Sequence, residues 1–433
     1  MPKSQKKIGW WSATAIVIAN MVGTGVFTTL GFQLEAITNT WSIALIWGLG
    51  GVISLFGAFA YAEIGTRLPK SGGEYYFLST IFHPFVGYLS GWVSITVGFA
   101  APIALAAMAM GAYLQKLLHI PPLYFAILVI LLTSSIHSIS LSYSSRFQNV
   151  LTLFKIVLML GLIFFGFWFT PSSNALILDD GWQEEIWLPT YAVALVYVVY
   201  SYSGWNAAAY IVGEIEAPAR NLPRALVGGT LLVSILYILL QITFLRQAPL
   251  EALQGKVEVG QIVAEHMFGE RGGQLVSLCI GLLLIAGISA MIWVGPRVTR
   301  AMSDDYKIWR FLAIDNANGV PVRAIWLQAA ISIFMIVTSS FEQVLIYSGF
   351  ILQLFTTLTV IGLFILRKQK TLSQEHIYRS PWHPWLALVY IAISCWILIF
   401  LVIDKPMESL LGLSNLFVGA LSYFWSKRSE HLS

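Results

Sequence analysis

The sequence predicts an all-α membrane protein of twelve helical spans, and three observations carry that prediction. Of its 433 residues, 57% are apolar and 14% aromatic while only 11% are charged. Mean hydropathy is +0.75, far above that of a soluble domain. Finally, apolar runs near the ~20 residues that cross a bilayer as a helix recur along the whole chain.

The runs occupy 9–36, 41–65, 82–118, 122–140, 147–169, 188–212, 222–245, 273–302, 320–338, 344–366, 385–403 and 410–425. The third is too long for one perpendicular helix, so it is expected to tilt or to begin at the interface. Lys3, Lys6 and Lys7 before the first run imitate a signal peptide, but the apolar part is long and eleven further runs follow. Loops are short, and no segment reads as an independent soluble domain.

Basic residues give the orientation. Of 25 Lys and Arg, nineteen fall on one side, among them Lys3, Lys6, Lys7, Arg67, Lys70, Arg146, Arg220, Arg224, Arg297, Arg367 and Lys370. The other side carries Lys116, Arg246, Lys256, Arg271 and Lys405, and Lys155 stays inside a span. The positive-inside rule then places both termini in the cytoplasm and the chain in the plasma membrane. The net charge of +4 reports this topology, not nucleic acid. Cys279 and Cys395 both lie in apolar runs, which excludes a disulfide-stapled ectodomain and a Cys-rich metal site. No P-loop or HExxH occurs, so neither cofactor nor metal is expected. Of seven histidines, His137 lies within a span, near its end, and His83 stands at the edge of the third run; neither has acidic partners for catalysis.

Two spans are interrupted at mid-depth by small polar residues: Val22-Gly23-Thr24-Gly25-Val26 in the first, Ser201-Tyr202-Ser203-Gly204-Trp205 in the sixth. Inside hydrocarbon, non-helical backbone is tolerated only where its freed groups face protein or a polar cavity. A broken helix in each of two halves is the mark of a transporter's binding site. Glycines that only allow close helix packing are the simpler reading of one interruption, and the second interruption weakens it. Unwinding at Gly23-Thr24-Gly25 frees N–H groups at the start of a half-helix, which suits a carboxylate. Carbonyls ending the preceding half-helix, around Met21, suit an ammonium.

Three stretches then carry a likeness. Asn20-Met21-Val22-Gly23-Thr24-Gly25-Val26-Phe27, the loop from Tyr61-Ala62-Glu63 to Ser71-Gly72-Gly73-Glu74-Tyr75, and Gly204-Trp205-Asn206 running through to Asn221-Leu222-Pro223-Arg224 resemble the amino acid, polyamine and organocation (APC) transporter superfamily, nearest the L-type amino-acid transporter branch and its bacterial relatives. The resemblance implies the leucine-transporter type of fold: a five-helix repeat (8–169), a second inverted one (188–367) and two additional helices (382–427), with spans one and six broken. It implies that Thr24 and Gly25 hold a substrate carboxylate while carbonyls of Met21, Tyr200 and Ser203 take the α-amine. Gly23 completes that break. Tyr200 matches an aromatic gate. Asn206 either lines the pocket or bonds a neighbouring helix. Ser203 stands where relatives often have glycine, which favours small substrates.

Lys155 sits deep in the fifth run, where a lysine costs about 3 kcal/mol on insertion scales and therefore implies a function and a partner unless it snorkels to an interface. In related transporters such a lysine occupies the place of a sodium ion, and here Ser289 is the only hydroxyl of span eight between Leu282 and Val298. Sodium coupling is not expected. Neutral L-amino acids are favoured, because no Asp or Glu lies at mid-span; a cation–π pocket at Tyr200 or Trp205 is the exception left open. The expected activity is amino-acid exchange, with proton symport through Lys155 as alternative and a non-transporting receptor as the reading from another class. Glu74, Glu214, Arg220 and Arg224 are expected at the cytoplasmic surface in solvated loops, with reciprocal loop contacts that stabilise the outward-facing state as the alternative. The disulfide-linked heavy subunit of the eukaryotic branch is not expected, for want of an extracellular cysteine.

Overall fold

The computed structural model describes residues 7–139, 145–171, 176–369 and 377–431. Lys3, Lys6 and Lys370 of the charge count and the last residue of the fourth run lie outside the described residues, as do the side chains of Arg146 and Arg297.

Among the described residues the chain is predominantly helical, and seventeen α-helices follow one another. The first half holds α1 (Trp10–Met21), α2 (Gly25–Gln33), α3 (Thr40–Arg67), α4 (Gly73–Ile81), α5 (Pro84–Val93), α6 (Ala100–Leu118), α7 (Pro122–Ile139), α8 (Ser145–Trp168) and the short α9 (Trp182–Glu185). Then come α10 (Pro189–Tyr202), α11 (Pro218–Gln247), the short α12 (Leu250–Leu253), α13 (Val259–Asp305), α14 (Val322–Thr338), α15 (Phe341–Lys368), α16 (Trp385–Asp404) and α17 (Pro406–His431). Nine helical segments among the described residues are long and apolar enough to cross a membrane. Three of the expected spans fall instead on α10, on the 17-residue α14 and on α17, which are shorter or more polar.

Local chemistry sets the ends. Asn39 caps α3 by accepting from the Trp41 N–H, and Ser340 with Gln343 forms a reciprocal capping box on α15. The long third run resolves into α5 and α6 joined by a π-helical turn, Ser94–Gly98, to give a continuous Pro84–Leu118 segment. Its 35 residues would extend about 52 Å, well beyond a ~30 Å hydrocarbon core. In α13 the 47-residue helix bends at Gly269, whose φ of 74° breaks the helical path.

Large apolar side chains stand exposed on the outer helices, among them Leu132, Val157, Phe164, Ile235, Phe334, Ile399 and Phe417. A soluble protein would bury such a belt; lipid makes it harmless. Inside, α11 packs along α3 and α1, and α13 along α6. At the face that carries the N-terminus, the fully buried Glu63 carboxylate receives Arg67 at 2.8 Å, the Arg367 Nε at 2.9 Å and the Ser380 N–H at 2.8 Å. Paired and bonded on every side, this carboxylate ties α3 to α15 and to the strand of chain before α16.

Candidate functional site

Both interruptions are present. Helix α1 stops at Met21 and α2 resumes at Gly25; α10 stops at Tyr202 and is followed by a 3-10 segment, Ala207–Glu214. The second break starts at Ser203, two residues later than the sequence pattern placed it. Ser201 stays in the last turn of α10, its hydroxyl donating to the Tyr197 carbonyl at 2.7 Å, one turn back, a bond that tends to bend a helix near its end. Gly204 then turns the chain with a φ of +96°, a region open to glycine at little cost.

The two breaks touch. A Cβ on Gly204 would lie 2.8 Å from the carbonyl carbon and oxygen of Asn20, so the sixth-span turn is laid directly on the end of α1. The Tyr237 hydroxyl, from α11, donates to the Met21 carbonyl at 2.6 Å and reaches the Ser201 carbonyl at 3.3 Å, spanning both. One lone pair of the Met21 oxygen is thereby used, and one remains for another donor. The Tyr200 carbonyl accepts the Ser203 N–H at 2.9 Å. Tyr200 itself is 7% exposed and Trp205 6%; the Trp205 ring stands edge-on to Tyr61, 4.8 Å between centroids.

Lys155 joins this arrangement from α8. Its Nζ donates to the Val22 carbonyl at 2.7 Å and the Ala19 carbonyl at 3.1 Å, and it is buried, so it does not snorkel to an interface. A fixed positive charge thus sits where helix α1 leaves its last carbonyls unpaired. Beside it runs a narrow cleft lined by Ala19, Asn20, Thr152, Gly287 and Ala290. On the other side of the break the N–H groups of Gly23, Thr24 and Gly25 donate to no backbone carbonyl among the described residues, and a Cβ on Gly23 would meet no atom nearer than the Met21 carbonyl oxygen, at 3.9 Å.

Asn206 does not stay with the break. Its side chain donates to the Glu74 carboxylate of α4 at 3.0 Å, the second of the two roles its sequence position allowed. Glu74 is the correction to the loop picture. The solvated carboxylate expected there is 5% exposed, because Gly73, at φ +56°, lets the Tyr210 ring pass where a Cβ would lie 2.2 Å away.

Three contributors escaped the sequence reading. Besides Tyr237, Gln241 donates to the Val26 carbonyl at 2.9 Å, and Tyr113 donates to the Phe27 carbonyl at 2.7 Å while accepting the Gly260 N–H. All serve backbone around the first break. The available signal was Ser234, Tyr237 and Gln241, polar residues three and four apart on one face of an apolar span.

A family model described as "Amino acid permease" matches residues 8–417. The chain belongs to the amino acid permease family. Across 98% of both chains it is 27% identical to the serine/threonine exchanger SteT of Bacillus subtilis. It is 27% identical to the large neutral amino acids transporter small subunit 2 of Rattus norvegicus, over 99% of this chain and 82% of that one. To the b(0,+)-type amino acid transporter 1 of Mus musculus it is 26% identical, over 97% and 88%. The permease is therefore a multi-pass membrane transporter of the APC superfamily, nearest the L-type branch and its bacterial relatives, and not an enzyme.

In this permease, Tyr237→Phe removes a hydroxyl that bonds main chain at both breaks. Leaving a buried carbonyl short of a donor costs about 1–3 kcal/mol. A lower melting temperature and roughly tenfold weaker amino-acid binding are expected, read together by thermal-shift titration.

Proposed function

We propose that this permease exchanges small neutral L-amino acids across the cytoplasmic membrane by alternating access, without sodium. The observation that carries the reading is the pairing at the first break: Lys155 occupies the Ala19 and Val22 carbonyls, while the Gly23, Thr24 and Gly25 N–H groups have no backbone acceptor among the described residues. In this reading Thr24 and Gly25 hold the carboxylate, the Met21, Tyr200 and Ser203 carbonyls take the ammonium, and Tyr200 covers the bound molecule. An ammonium already in place at the cation position leaves sodium nothing to do.

The relatives support the choice of cargo. One is named a serine/threonine exchanger and another a large neutral amino acids transporter. Ser203 in place of glycine favours the smaller end of that range. The same reading counts twelve spans, adding α10 with its 3-10 segment, α14 and α17 to the nine long apolar segments, and arranges 8–169 and 188–367 as inverted repeats with 382–427 appended. Both termini then face the cytoplasm. With Cys279 and Cys395 both on helices, a disulfide-linked heavy subunit has no place in it.

Counterflow in proteoliposomes tests the proposal. Labelled serine, threonine or alanine should enter only vesicles preloaded with an amino acid, at a rate indifferent to sodium and to a pH gradient. Uptake into empty vesicles driven by a proton gradient would replace exchange with symport. Binding without movement in either direction would leave a receptor.

A further inference from the structure

Glu74 has a place in the structure that transport through the two breaks does not explain. It opens α4, a helix between the second and third spans, and its carboxylate is enclosed among donors that carry no charge. The Tyr61 hydroxyl donates to it at 2.6 Å and the Asn206 amide at 3.0 Å, and the Tyr210 hydroxyl bonds it as well. Among the described residues no Lys, Arg or His lies within ion-pair distance.

Several nearby charges and phenols have partners of their own. On α3, Arg67 turns to Glu63, and on α15 Arg367 does the same. Lys70 lies over the Tyr76 ring, and Tyr75 of α4 bonds Asp305. On α5, His83 caps its own helix and Tyr88 meets Ser422. What faces Glu74 is phenols: Tyr61 from α3, Tyr210 from the 3-10 segment and Tyr390 from α16. Burial pushes its carboxyl up to about 7, against the Tyr61, Asn206 and Tyr210 bonds that hold it down.

The same carboxylate joins the turn before α4 to the segment that follows the sixth-span break. The Ser71-Gly72-Gly73 turn is zipped to the 3-10 segment by Gly72 N–H to the Tyr210 carbonyl at 3.0 Å and Gly213 N–H to the Ser71 hydroxyl at 3.2 Å. Asn206, the last residue of the sixth-span break, hangs from Glu74 itself. Opening this face of the break to water would hydrate the carboxylate and part those bonds.

We propose that Glu74 is a proton-binding site that latches the sixth-span break at the face bearing the N-terminus: the neutral carboxyl favours the packed arrangement and the ionised one favours opening. Protonated by water from that face, the carboxyl donates its one hydrogen to a phenol oxygen and keeps accepting from Asn206. The sign follows from linkage. Packed, the group holds its proton to about pH 7; hydrated, it returns to an ordinary value of 4.5. Between those values rising pH strips the hydrated form first, so the packed state loses ground by roughly two orders of magnitude and stays at that lower level above them.

Infrared titration of the purified full chain, compared with Glu74→Gln and Glu74→Asp, tests the site without requiring transport. A protonated-carboxyl band that disappears near neutral pH in the wild type, is absent in E74Q and survives in E74D is expected. A band that titrates in the ordinary carboxylate range, or one that E74Q retains, overturns the proposal. Exchange in proteoliposomes supplies the second readout: acidifying the face bearing Glu74 from about pH 8 to about pH 5 should slow the wild type and E74D on the order of tenfold and leave E74Q slow and flat. Lys155 is present in all three proteins, so a response lost only in E74Q belongs to Glu74. An E74Q protein that keeps the wild-type pH response overturns the latch even where the band behaves. Failure of every protein to exchange, with the band titrating as described, removes the transport reading and leaves the proton site standing.

Discussion

Replacing Lys155 with alanine is expected to slow amino-acid exchange by about a hundredfold while the protein remains folded. The ammonium donates to the Val22 and Ala19 carbonyls at 2.7 and 3.1 Å, and hydrogen bonds to a charged group are worth about 1.5–3 kcal/mol each. Losing both leaves two carbonyls at the end of α1 without a donor, and about 1.4 kcal/mol changes a rate or an equilibrium tenfold. The missing charge also removes whatever fixed the first half-helix in register with α8. Initial exchange rates at matched protein density, with size-exclusion profiles to verify folding, check the outcome. A K155A protein working within a few-fold of wild type would remove Lys155 from the mechanism.

Gly204→Ala should be as severe, for a steric reason. The residue sits at φ +96°, and a Cβ there would press to 2.8 Å against the carbonyl carbon and oxygen of Asn20. Backbone cannot yield as a flexible side chain does, so the added strain of roughly 1–3 kcal/mol falls on the contact between the breaks. Transport is expected to vanish and the melting temperature to drop. Gly23→Ala is the control: a Cβ there would meet only the Met21 carbonyl oxygen, at 3.9 Å, and the melting temperature should not move. Equal destabilisation by the two changes would show that general glycine flexibility, not this contact, is at stake.

What could be read from the sequence was whatever is local along the chain. Apolar runs located the long helices, and Gly23-Thr24-Gly25 located the first break, because both signals lie within a few residues. The second break was displaced by two, since Ser201 and Tyr202 still close the last turn of α10 and the polar composition around them does not show where the helix ends. Tyr237 was passed over because its acceptor is 216 residues away; nothing near it marks it as more than one polar residue in an apolar span. Glu74 was misjudged for a related reason. Its loop is charged and glycine-rich, the usual composition of solvated chain, and only the approach of Tyr210 across Gly73 shuts it away from water. The π-helical turn in the third span and the bend at Gly269 likewise left no pattern beyond excess length.

The halves of the two broken helices remote from the N-terminus, α2 and α10, are riveted together. The Thr29 and Ser201 hydroxyls meet at 3.0 Å, and Phe32 of α2 stacks between Tyr197 of α10 and Phe341 of α15. Any rearrangement that uncovers the far face must therefore carry α2 and α10 as a single lever, or unstack that aromatic column to separate them. The halves nearer the N-terminus, α1 and the 3-10 segment, are joined through main chain, the Ile8 N–H donating to Glu214 and the Ile8 carbonyl accepting from Glu216. The two ends of the broken pair are thus braced by different chemistry, hydroxyls and stacked rings at one and main-chain bonds at the other.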